Sequence, residues 1–114
     1  METSRTLGSR QYGIIVLTIV TALIHVALGL GGEGFFRILF LLNGLGYVGL
    51  MAGYYFLPQL AGQRSLVRWA FIGFTAVTFI LYFVFNWPDI WGPIGLVDKA
   101  VELVMIILLF QEKA

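Results

Sequence analysis

PIGLVDKAVELVMIILLFQ, residues 93–111, decides how this chain folds. It is about as long as three apolar stretches before it, yet it holds Asp98, Lys99 and Glu102 where hydrocarbon contact would be expected. Read as a helix across a membrane, it makes the number of crossings even and puts both termini on one side. Its length is near the roughly 20 residues a bilayer-spanning helix needs, and Pro93 suits the first turn of a helix. We therefore expect a fourth crossing.

Working outward, the other stretches fall at about 12–31, 35–57 and 66–85. Gly31, Gly32 and Gly34 flank Glu33 in a tight first turn, where glycine can take positive φ without a steric penalty. Pro58 opens the polar linker Gln59–Ser65, with Ser65 a plausible N-cap. Asn86-Trp87-Pro88-Asp89 separates the third stretch from the fourth. The first stretch exceeds the apolar core of a signal peptide and lacks a clear small-x-small cleavage site, so it is read as a retained helix. The spacing predicts a single all-α domain: an integral-membrane, antiparallel, up-down bundle of four transmembrane helices.

Composition agrees. Of 114 residues, 60% are hydrophobic and 11% charged, with a mean hydropathy of +0.93. A soluble chain so apolar would lack the polar surface to cover itself. A net charge of +1 argues against nucleic acid. The absence of cysteine excludes disulfides, thiol redox centres and sulfur-ligated metal sites. Arg5, Arg10, Arg64, Arg68 and Lys113 fall on one side of a four-span arrangement, with Arg37 and Lys99 toward the other. Positive residues favour the cytoplasm, so we expect an inner-membrane protein with both termini cytoplasmic.

Each helix carries a stripe of polar or small residues at three- and four-residue spacing. His25, the only histidine, lies on the first stripe with Thr18, Thr21, Ala22, Gly29 and Gly32. Asn43, Gly46, Gly49 and Gly53 form the second, Thr75, Thr78, Tyr82 and Asn86 the third, and Gly95, Asp98, Glu102 and Met105 the fourth. Small residues let membrane helices approach closely, so Gly29, Gly46, Gly49 and Gly53 are expected at helix–helix contacts. At a rise of ~1.5 Å per residue, His25, Asn43 and Glu102 lie roughly 9, 12 and 13 Å from the ends of their helices, on one level. Tyr82 can approach from the third helix, and His25, Asn43, Glu102, Tyr82, Asp98 and Lys99 are the candidates for one buried polar cluster. Asp98 and Lys99 lie a turn closer to the surface and are expected to snorkel, the alternative being a Lys99–Glu102 pair at i,i+3.

Ionisable groups in a membrane are costly and often mark function. Three readings use these residues. The first is a non-catalytic accessory, assembly or interaction subunit, homo-oligomeric or part of a larger membrane complex, with the lipid bilayer as its medium. The second is a small oligomeric proton- or ion-coupled transporter using Glu102 and His25. Four short helices with one deep glutamate resemble in outline the small multidrug-resistance transporters. That family carries its glutamate in the first helix, where this chain has His25, so the resemblance is one of architecture. The third reading has His25 bind haem or a chlorophyll-type pigment. No cofactor or metal is otherwise expected. Nothing resembles a phosphate loop, a nucleophilic triad or a metal-binding His-Glu-x-x-His helix, so no enzyme is expected.

Overall fold

The computed structural model describes residues 7–112, so Arg5 and Lys113 of the orientation argument lie outside the described residues. It consists of α1 (Ser9–Leu30), α2 (Gly34–Tyr55), α3 (Arg64–Asn86) and α4 (Pro93–Gln111). No strand occurs among the described residues. The linker after α2 is a short 3-10 helix, Pro58–Gln63, that runs straight into α3. Gln63, not Ser65, is thus the N-cap of α3, and its side chain makes no capping bond.

Cross-contacts give the directions. Leu41 of α2 packs at Gly29 of α1, and Val26 at Gly44. Asn43 of α2 bonds Thr78 of α3. Arg68 of α3 reaches Leu109 of α4, whereas Tyr82 packs at Gly95. Arg10 of α1 meets Glu112, and His25 meets Asp98. Every neighbouring pair therefore runs antiparallel, and α4 closes back onto α1. One end of the bundle holds the turns 31–33 and 87–92 (the loop end). The other holds the 3-10 linker and residues 7–10 and 112 (the terminal end).

α1, α2 and the α3 segment are long and apolar enough to cross a membrane. Their outward faces carry Leu23, Leu30, Ile38, Leu42, Leu45, Ile80 and Val84, all well exposed. α4 is a 19-residue helix with three charged residues. Its outward face is nonetheless Val97, Leu103, Val104, Ile107 and Phe110, and the charges turn inward.

Glycine sets how closely the helices pack. A Cβ at Gly29 would lie 2.8 Å from Leu41 Cγ, one at Gly44 2.9 Å from the Ala22 carbonyl, and one at Gly46 2.6 Å from Phe74. Gly53 is tighter than usual against Leu60, at 3.2 Å. Gly49 meets nothing within 4 Å and faces outward, so it takes no part in packing within the chain. Gly44 is the close-approach position that the Gly46–Gly49–Gly53 stripe does not include. Two arginines bond carbonyls at or just beyond helix C-termini. Arg37 donates to the carbonyls of Gly32 and Leu30, at 3.0 and 3.1 Å. Arg68 donates to those of Leu109 and Phe110, at 2.8 and 3.1 Å.

Candidate functional site

The site starts from i,i+4 spacing on two antiparallel helices. Thr21 and His25 share a face of α1; Asp98 and Glu102 share a face of α4. Where these faces meet, Thr21 Oγ1 lies 2.5 Å from Asp98 Oδ1 and 3.2 Å from Glu102 Oε2. His25 Nδ1 lies 2.8 Å from the Thr21 carbonyl oxygen, and Nε2 lies 3.7 Å from Asp98 Oδ2 and 4.0 Å from Glu102 Oε2. Lys99 Nζ pairs with Glu102 Oε1 and stands 3.3 Å from Asp98 Oδ2. Tyr47, from α2, donates its hydroxyl to Glu102 Oε2 at 2.8 Å. Two carboxylates, an ammonium and an imidazole thus share one interior site. Glu102 is 0% exposed and His25 4%.

The expected convergence of His25 and Glu102 is present. Asp98 and Lys99, expected at the surface, are buried at 3% and 5% exposure and complete the cluster. They turn inward because each carboxylate there finds a cation or hydroxyl, which offsets desolvation as an apolar surface position would not. Asn43 shares their level but touches neither charge. Its Nδ2 donates to Thr78 Oγ1 at 2.8 Å, and its Oδ1 is buried without a partner. Tyr82 donates its hydroxyl to the Ile90 carbonyl at 2.6 Å, and its ring lies 5.1 Å from Lys99 Nζ.

Sequence reasoning missed Thr21 as a ligand of the carboxylates, and Tyr47 altogether. Tyr47 stands four residues after Asn43, so helical spacing alone puts it on that polar face.

Above the cluster, a cavity of about 410 Å³ opens toward the loop end. Its walls are mainly apolar, with Phe36, Leu39, Phe40, Leu81 and Phe85 among them. Its polar lining includes His25, Asn43, Asp98 and Lys99. In the other direction Met105, Leu109, Ile14 and Phe71, all fully buried, fill the interior. The cluster is therefore reached from one end.

A second buried carboxylate closes the terminal end. Glu112 Oε2 accepts from Arg10 Nε at 3.0 Å and Gln11 Nε2 at 2.7 Å, while Oε1 accepts from the Tyr55 hydroxyl at 2.9 Å. Gln11 also accepts the Gly8 N–H at 2.8 Å, half of a capping box at the start of α1.

The Thr21 carbonyl holds His25 Nδ1, and Nε2, the nitrogen free to ligate, faces two carboxylates. Single donor atoms of His25, Asp98 and Glu102 all lie within 4.8 Å of one another. Comparison of the chain with protein families, curated proteins and solved structures gives no match.

Proposed function

We propose that the protein crosses the membrane four times and binds a small amphiphilic molecule in the loop-end cavity. The observation that carries this reading is an apolar-walled cavity over a buried charged cluster, with the Asn43 Oδ1 acceptor left unpaired. Its volume of about 410 Å³ falls within the roughly 300–1,000 Å³ of small-molecule sites. The ligand's apolar part lies among Phe36, Phe40 and Phe85, and its head offers a hydroxyl, amide or amine hydrogen to Asn43.

The fourth crossing follows from the inward, paired placement of the α4 charges, which leaves that helix an apolar exterior. With Lys99 buried, Arg10, Arg64 and Arg68 at the terminal end stand against Arg37 at the loop end. That bias supports a cytoplasmic terminal end and a cavity opening toward the opposite leaflet. Gly29, Gly46 and Gly53 are taken up by packing within the chain, so they do not bear on the accessory-subunit reading. Ion-coupled transport is a second reading, favoured by the fully buried Glu102 beneath the cavity.

Native mass spectrometry from lipid nanodiscs tests the binding reading. The wild type, incubated with amphiphilic alcohols and amines, is expected to carry an added mass that Leu39→Trp, which fills the cavity, does not. A wild type without adducts, or adducts unchanged in Leu39→Trp, contradicts it.

A further inference from the structure

Three atoms able to ligate a metal, His25 Nε2, Asp98 Oδ2 and Glu102 Oε2, face one another beneath the cavity. The Thr21 carbonyl can only accept, so the 2.8 Å contact requires the proton on His25 Nδ1. In the neutral ring, Nε2 then presents a lone pair. It points at Asp98 Oδ2 and Glu102 Oε2, 3.7 and 4.0 Å away. Both separations exceed the roughly 2.7–3.2 Å of a hydrogen bond, and none reaches Nε2 in a side chain only 5% exposed. Nitrogen and oxygen ligands at roughly 2.0–2.2 Å from a shared ion stand roughly 3–3.6 Å apart. His25 Nε2 needs to close on either carboxylate by only a few tenths of an ångström, and the three donors as a set lie within 4.8 Å of one another.

We propose that His25 Nε2, Asp98 Oδ2 and Glu102 Oε2 form a three-ligand site for a divalent transition-metal ion, reached through the cavity, with a fourth position open on the cavity side. One imidazole and two carboxylates, with no sulfur, suit Zn²⁺, Mn²⁺ or Fe²⁺. The supporting shell is in place. Nδ1 donates to a backbone carbonyl, Tyr47 holds Glu102 Oε2 at 2.8 Å, and Thr21 Oγ1 holds Asp98 Oδ1 at 2.5 Å. Such partners orient ligands and fix the histidine tautomer.

Lys99 is the cluster's own cation and bridges both carboxylates. It competes with the metal and must yield to it. Its Nζ already stands over the Tyr82 ring on the cavity wall, so rotation into the cavity keeps an aromatic partner. The proposal stands on donor geometry and not on occupancy of the cavity by an amphiphile. Zn²⁺ binding without amphiphile binding overturns only the earlier reading, and the converse overturns only this one.

The test titrates chelator-stripped protein in nanodiscs with Zn²⁺ by calorimetry and with Co²⁺ by visible absorption. Saturable binding of a single ion per chain is expected, with Co²⁺ bands of a nitrogen- and oxygen-ligated site of low coordination number. His25→Gln should weaken Zn²⁺ binding by about tenfold or more. Lys99→Gln, which removes the competitor, should tighten it by about tenfold. If His25→Gln fails to fold, the wild-type Co²⁺ spectrum and Lys99→Gln still decide. Absence of saturable binding, an unchanged affinity in His25→Gln, or no gain in Lys99→Gln overturns the proposal.

Discussion

Two buried carboxylate sites lie along α4 and are built differently. At the terminal end, Glu112 accepts three hydrogen bonds from Arg10, Gln11 and Tyr55, spread over both of its oxygens. Its cation is partly solvated, with the Arg10 side chain 40% exposed. At the loop end, Asp98 and Glu102 share Lys99, His25 Nε2 has no hydrogen bond, and a cavity lies against the group. A saturated site holds helices together. An unsaturated one at the foot of a cavity keeps donor atoms available, and an interior that is costly to leave unsatisfied marks where binding belongs.

Removing the interior cation should break this contrast most strongly. Lys99→Gln leaves two buried carboxylates without it and is expected to destabilise the metal-free protein by about 3–5 kcal/mol in reversible unfolding. Zn²⁺ should recover much of that loss. At the terminal end, Glu112→Gln should cost about 1–2 kcal/mol and leave Zn²⁺ affinity unchanged, because the cation it leaves behind, Arg10, reaches solvent. Reversal of that order would mean the loop-end charges are not sealed from water.

Coupling sharpens the comparison further. His25→Ala and Glu102→Ala should be non-additive by about 0.5–3 kcal/mol in a double-mutant cycle. His25→Ala and Glu112→Ala, from opposite ends, should add. Packing gives the smallest contrast. Gly46→Ala presses on Phe74 and should cost about 1–3 kcal/mol, whereas Gly49→Ala meets open space and should leave the melting temperature nearly unchanged.

The helices and much of the loop-end site are legible in the sequence. Apolar runs, Pro93 and the Gly31–Gly34 turn place the elements, and counting helical rise brings His25 level with Glu102. Asp98 is the instructive error. It lies four residues before Glu102 and so shares its face, but nearness to the helix start makes a snorkelling surface residue equally consistent with the pattern. Only the partners Thr21 and Lys99 separate the two. Glu112 had no local signal at all, since its partners lie 57 to 102 residues away in the chain. Close approach is similarly non-local. Gly44 and Gly49 look alike in sequence, and the position of α1 decides which is pressed.

Because His25 is the only histidine, ¹⁵N-labelled histidine gives a single pair of ring-nitrogen resonances. In stripped protein in nanodiscs, Nδ1 should carry its proton toward Thr21 whether or not Zn²⁺ is present. Adding Zn²⁺ should move the Nε2 resonance while Nδ1 stays protonated. An unmoved Nε2, or a shift at Nδ1 in its place, would contradict the account of the loop end as a site built around an open His25 donor.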